Sequence, residues 1–423
     1  MIPAATRARA QLTLRDTIGT LIGGRSTPAG RIASATGGST GALAAFTMAV
    51  HASALDFDDG HYEGGAIHPG SVIIPSLVVA LPDTDTDLHS FLTAQIVGYE
   101  IGLRAARLLW PRHELDTYHC TGTAATLGAA AAVAKLRGAD ADGVARAIAI
   151  AWAHAPMATF QLPMVKESIG WSAATAVFAA DLAQAGFMAM PTGVRSAMDA
   201  TFTPTPFHRP GAMDDPFVAS LGTVFEAGNT YFKPYAACRY THTAIRSLQE
   251  LITGHSLAAT DIARIEVHTH LAAANLRDQQ PASLDHGQYS FPFVLAAVMC
   301  NGRAGAEEIS EAALTDPVRL GHAAKVTVAH DPLLDAHYPT HYGTRIVVHT
   351  LDGHALERTR LVAPGDEGDP MSADDLAAKF VRLTESVHGT ATAVALAAAL
   401  VDPTRSDVRG LVAQALGGFT RAK

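Results

Sequence analysis

The stretch from Thr40 to about Gln184 is written largely in small apolar residues, and this limits the fold more than any other feature of the chain. Segments 41–51, 88–109, 121–136, 141–153 and 172–185 are rich in good helix formers and are punctuated by Gly or Pro. Helices faced with Ala and Gly can approach closely, so the pattern predicts a tightly packed helical body. Asp140 stands at the N-cap position of the fourth segment, and Gly186 sits where a glycine would close the fifth. Apolar types make up 48% of the 423 residues and charged types only 17%, so the chain can bury a large core and disorder is excluded. The charge-free run between Arg146 and Lys166 holds His154, Pro156, Gln161 and Pro163, which argues for a buried helix and loop rather than a membrane span.

The composition changes after about residue 190. Residues 190–215 are rich in Pro, Thr and Gly and read as a long loop, and a helix is expected over 241–253. Strand patterns then appear at 263–270, 324–330 and 344–350. The last runs into Leu351-Asp352-Gly353, a hairpin signal that predicts a returning strand over 354–362. Helical pattern resumes at 372–387 and 390–400. The expected fold is mainly α with a smaller α+β domain: a large helical domain at 1–240, an α+β unit at 241–388, and C-terminal helices at 389–423 returning to the helical body.

Charge and cysteine content exclude several functions. Lys and Arg total 31 against 40 Asp and Glu, and there is no basic block, so a nucleic-acid partner is not expected. Cys120, Cys238 and Cys300 have neither a disulfide nor a metal-cluster spacing, which fits a reducing cytoplasm. Arg7, Arg9 and Arg15 precede any apolar run, so no signal peptide is read. With 20 His present, chance pairs are expected; His268 and His270 would share one strand face, a weak metal signal.

Four clusters could carry chemistry. The first runs from His51 through Asp56, Asp58 and Asp59 to Gly64-Gly65 and His68-Pro69. If the preceding helix continued, Asp56 and Asp59 would share a face at i, i+3, and acids so crowded need nearby cations. A solvated, Asp-capped helix end would also give this pattern. The second, Tyr118-His119-Cys120-Thr121, opens an Ala-rich helix, where the dipole favours an anion or where Thr121 simply caps. The third centres on Lys166, a lone charge among apolar residues that either snorkels or binds an anion. The fourth gathers Lys233, Arg239 and His242 beside aromatics, as a polycarboxylate site or a basic surface turn would.

Together these clusters resemble the MmgE/PrpD family, which includes 2-methylcitrate dehydratases, cis-aconitate decarboxylases and iminodisuccinate epimerases. The likeness rests on His51-x4-Asp56-Phe57-Asp58-Asp59 with His68-Pro69, His119-x-Thr121-Gly122, Lys166, Lys233-Pro234-Tyr235 through Arg239 and His242, and Tyr289-Ser290-x-Pro292, in the family's order. The resemblance implies a homodimer with a cleft site that takes a small di- or tricarboxylate and uses no metal or other cofactor. It places the catalytic residues at Asp56, His68, His119, Lys166 and Lys233; Asp59, Tyr118, Arg239, His242 and Tyr289 are expected to bind the substrate. His68 is the expected base, its pKa raised and its tautomer fixed by a carboxylate neighbour; Asp56 would orient one imidazole, and His119 suits a neutral donor. Three departures stand out: Gly60 and Ala274 occur where decarboxylase-like members carry Thr and Tyr, and the segment after Lys166 is one residue short and lacks a His. The expected activity is a hydro-lyase on a 2-methylcitrate-like acid. Epimerisation, decarboxylation and a catalytically idle carboxylate-binding scaffold are the alternatives.

Overall fold

The computed structural model describes residues 1–109, 120–156, 166–189 and 214–417. The Leu88–Leu109 and Cys120–Leu136 helices form the most intimate pair in the helical body. They cross at two glycines: a Cβ on Gly128 would overlap the carbonyl of Gly98, and a Cβ on Gly98 would lie 2.8 Å from that of Ala132. This backbone-to-backbone approach is the physical reason the region is written in small residues. The Lys166–Gln184 helix packs on both Cys120–Leu136 and Gly41–Ser53, and Gly70–Ala80 fits between the latter two. Asp140 caps Ala141–His154 by accepting from the Gly143 N–H, and Gly186 takes a φ of +83° just past Gln184.

Several helices lack a counterpart in the sequence reading, among them Pro28–Thr36 and Gly70–Ala80, and two others show why. Ala4–Gly24 buries Thr6, Gln11, Thr13, Arg15, Asp16, Thr17 and Thr20 among its apolar residues, which erases the usual amphipathic stripe. Phe291–Asn301 is a short apolar run that could be strand or helix by pattern, and Ser290 resolves it by capping Phe293 N–H ahead of Pro292. The Lys166–Gln184 helix also starts well before residue 172, where the alanine pattern begins.

The smaller layer is a four-stranded mixed sheet in the order β2-β1-β3-β4, with β1 Ile262–Thr269, β2 Val326–His330, β3 Thr344–Thr350 and β4 Ala355–Arg360. β1 and β2 run parallel, while β1–β3 and the β3–β4 hairpin are antiparallel, with Val267 opposite both Val328 and Ile346. Gly353 turns the hairpin at φ +91°. Helix His242–His255 covers β3 and β4, and Phe291–Asn301 packs against β2. The expected His268–His270 face does not form. β1 ends at Thr269, so alternation stops there; His268 faces Glu266 at the surface while His270 is buried. The Ala373–His388 helix lays Leu376, Lys379, Phe380, Leu383 and Thr384 inward against Ala4–Gly24. Among the described residues no helix is long and apolar enough to cross a membrane.

Candidate active site

The Gly41–Ser53 helix stops at Ser53, and Asp56 turns the chain at a φ of +49°, a left-handed conformation that Asp tolerates better than most residues. This corrects the expected i, i+3 pairing of Asp56 and Asp59, since the helix ends before either acid. Three side chains remote in sequence hold the loop by its carbonyls. Gln288 Nε2 donates to Ala54 O at 2.9 Å, Lys233 Nζ to Asp56 O at 2.9 Å, and Lys379 Nζ to Phe57 O at 2.6 Å. Gly60 and Tyr231 then exchange both backbone hydrogen bonds, at 3.1 and 2.8 Å. His61 N–H donates to Ile67 O at 2.8 Å, so the segment after the acids folds back and delivers His68 beside them.

The carboxylates divide into different environments. Asp56 Oδ1 lies 3.3 Å from Lys233 Nζ and 3.6 Å from Lys166 Nζ, and all three groups are buried. Burial opposes its ionisation, yet Lys233, Lys166 and His68 outweigh it and hold the carboxyl well below the usual range. Asp59 instead accepts from Tyr99 Oη at 3.0 Å and the Gly70 N–H at 3.1 Å. Burial, then Asp16 and Asp58, push it well above the usual range. Lys379 pairs with Asp16 at 2.7 Å, and Asp58 lies 4.0 Å from His68 Nδ1.

His68 Nδ1 is 2.8 Å from the Asp59 carbonyl, which can only accept, so Nδ1 carries the proton and Nε2 presents the lone pair. The backbone N–H of His68 donates to Thr121 Oγ1 at 2.9 Å, tying the residue to the start of the Cys120–Leu136 helix. Two expectations are corrected here. The His68 tautomer is fixed by the Asp59 carbonyl rather than by a carboxylate, the Asp56 side chain being paired with the lysines. The pKa of His68 is lowered rather than raised, because burial and then Lys233 outweigh Asp58 and Asp56.

Arg239 and His242 are brought close but are occupied. Arg239 forms an ion pair with Asp366, donates to Pro364 O at 2.8 Å and to His242 Nδ1 at 3.0 Å, while His242 Nε2 donates to Ala237 O at 3.0 Å. Burial, with Arg239 and Lys233 nearby, keeps His242 neutral. Tyr289 faces the cluster, with Lys166 Nζ 5.8 Å from its ring centre. His119 and Tyr118 lie outside the described residues. The sequence reading missed Gln288, Lys379, Asp366 and Tyr231. Lys379 had a signal: it occupies the apolar stripe of the Ala373–His388 helix, at i+3 from Leu376 and i−4 from Leu383. Among the described residues, no group of three or more His, Cys, Asp or Glu is arranged to hold a metal ion.

The MmgE/PrpD N-terminal domain profile matches residues 1–202 and the C-terminal domain profile matches residues 235–402, so the chain belongs to the MmgE/PrpD family. Two sequences of a cis-aconitate decarboxylase from Aspergillus terreus are each 24% identical to it over 367 residues, covering 81% of this chain and 74% of theirs. A family of carboxylate enzymes, with dehydratase- and decarboxylase-like members, is therefore the class to which this site belongs.

Proposed function

We propose that the protein is a cofactor-independent lyase that removes the proton α to a carboxylate of a small hydroxy-polycarboxylate of the 2-methylcitrate type and expels water. The observation that carries this reading is the His68 tautomer: a neutral imidazole with its lone pair on Nε2, within electrostatic reach of Lys233, Asp58 and Asp56. His68 Nε2 takes the α-proton, and the C–H electron pair moves into the carboxylate to give an aci-carboxylate dianion. Lys166 and Lys233, two ammonium groups facing the single carboxylate of Asp56, stabilise that charge. Collapse of the dianion re-forms the carboxylate, makes the C=C bond and expels the β-hydroxyl, which takes the proton now held by the His68 imidazolium and leaves as water, with His119 as a neutral hydrogen-bond donor. A base that stays neutral near pH 7 suits the first step.

Decarboxylation is the second reading, favoured by the name of the Aspergillus relatives. It would release CO2 from an unsaturated tricarboxylate instead of water from a hydroxy acid. Incubation with di- and tricarboxylates in D2O, followed by mass spectrometry, separates the readings. Dehydration gives a product lighter by one water, and its reversal places deuterium at the α-carbon. His68→Gln should abolish both, a loss of about 10²–10⁴-fold for a general base. Exchange at the parent rate in His68→Gln would remove His68 from the base role.

We also propose a homodimer. Leu43, Trp171 and Phe178 are exposed on the packed pair Gly41–Ser53 and Lys166–Gln184, and Trp171 lies edge-on to Phe46 at 5.2 Å. Light scattering on the purified chain tests this, a monomer mass being the contrary result.

A further inference from the structure

Tyr231 takes no part in the chemistry above, yet its position is unusual. Its phenol is buried, its hydroxyl is inaccessible and has no hydrogen-bond partner among the described residues, and the residue stands at the edge of an open cleft of about 810 Å3 lined also by Arg9, His61, Tyr62, Glu226 and Asp366. Buried hydroxyls are seldom left unpaired, so an unpaired one on a ring edge-on to the proposed base points to a partner supplied by the substrate. The ring stands perpendicular to the His68 imidazole with centroids 6.3 Å apart, and the Arg239 guanidinium lies 4.3 Å from its centre. Tyr231 therefore stands between the charged cluster and the cleft.

What admits the ring is Gly60. This glycine is not in the left-handed region, so its backbone does not require glycine. A Cβ at position 60 would instead overlap Cζ and Oη of Tyr231. Two other tyrosines nearby behave differently. Tyr62 donates its hydroxyl to Asp366 at 2.7 Å, and Tyr342, whose hydroxyl is also unpaired, packs within an aromatic stack and does not line the cleft.

We propose that the Tyr231 hydroxyl donates a hydrogen bond to a carboxylate oxygen of the substrate, and that Gly60 is the residue that makes room for this phenol, so that positions 60 and 231 together set which acid is accepted. The proposal rests on the reaction class proposed above and adds a specificity-determining pair to it.

Three variants test it on whichever acid of the panel the parent turns over. Tyr231→Phe should lower kcat/KM ten- to hundredfold, the range of a hydrogen bond to a charged group, while melting at or above the parent temperature because no internal hydrogen bond is lost. Gly60→Ala should lose as much, yet cost nothing further when placed in a Tyr231→Ala background, where the overlap is gone. Parent-like kinetics in Tyr231→Phe would overturn the proposal while leaving the reaction class standing. Equal losses from Gly60→Ala in both backgrounds would overturn the pairing. If the parent turns over no acid, the reaction class fails first, and titration calorimetry with citrate decides the rest. Tenfold weaker binding in Tyr231→Phe upholds the contact; equal binding, or none by the parent, overturns it.

Discussion

Of the three buried histidines among the described residues that pack against tyrosine, His68, His242 and His270, the first and last differ most in the charge around them. His270 stacks on Tyr338 and Tyr342 at interplanar angles of 21° and 23°, with Tyr240 edge-on at 4.9 Å. Its surroundings are rings, and its Nδ1 has Thr269 Oγ1 at 3.3 Å. His68 meets Tyr231 edge-on but is flanked by Asp56, Asp58 and Lys233. Burial leads in lowering both pKa values, so a neutral imidazole alone does not mark a catalytic one. The difference lies in what surrounds the neutral ring. At His68 a carbonyl fixes the tautomer and two buried lysines stand close by, paired with Asp56; at His270 the ring fills space.

The sharpest way to break that contrast is to remove the carboxylate that balances the lysines. Asp56→Ala leaves Lys166 and Lys233 buried together without their counter-charge, and removing one partner of a buried pair costs about 3–5 kcal/mol. Denaturant unfolding should show this loss, and deuterium exchange into substrate should vanish with it. A cost no greater than that of a surface substitution would mean that the lysines are solvated, and the contrast between the two regions would dissolve.

This charged region was also where sequence and structure parted most. The helical body was legible because close crossings such as Gly98 on Gly128 demand small residues throughout a segment, and the β3–β4 hairpin because Leu351-Asp352-Gly353 names its own turn. The acids, His68, Lys166 and Lys233 were visible as unusual residues in apolar surroundings. What no local pattern could state was the pairing. Lys379 reaches Phe57 O across 322 positions and Gln288 reaches Ala54 O across 234. The left-handed turn at Asp56, which separates it from Asp59, is closed locally by the Asp56 N–H on Ser53 O and held by those remote side chains through the carbonyls around it. Likewise the direction of the His68 shift depends on how burial and Lys233 weigh against two acids, a balance set by distances.

A smaller effect should divide the two lysines. Lys233 Nζ donates to Asp56 O and so supports the loop, whereas Lys166 Nζ makes no hydrogen bond within the described residues beyond its ion pair with Asp56. Lys166→Ala should therefore lower kcat/KM about ten- to hundredfold with little change in unfolding free energy. Lys233→Ala should lower both. Equal destabilisation by the two substitutions would show that Lys166 too is structural, and the cationic site would then rest on Lys233 alone.

The smallest effect belongs to the region of stacked rings, and it is a slope rather than a loss. His270 has its pKa lowered to about 4, first by burial, with His330 adding and Asp335 opposing. An unfolded chain titrates histidine near 6.5. Above that pH both states are neutral at this residue, and its full contribution to stability is present. Between pH 6.5 and about 4 the unfolded chain takes a proton that the folded chain refuses, so stability falls as pH falls. One such proton contributes about 1.4 kcal/mol per pH unit. Below about 4 both states are protonated and the slope from this group disappears. His270→Phe keeps an aromatic ring in the stack and removes the titration. Urea unfolding from pH 7 to pH 4 should then give a shallower curve for His270→Phe than for the parent, and exchange into substrate should continue at the parent rate. Parallel curves would mean that His270 takes up its proton in the folded state. The ring stack would then tolerate charge, and the distinction drawn between the two histidines would rest on the lysines alone.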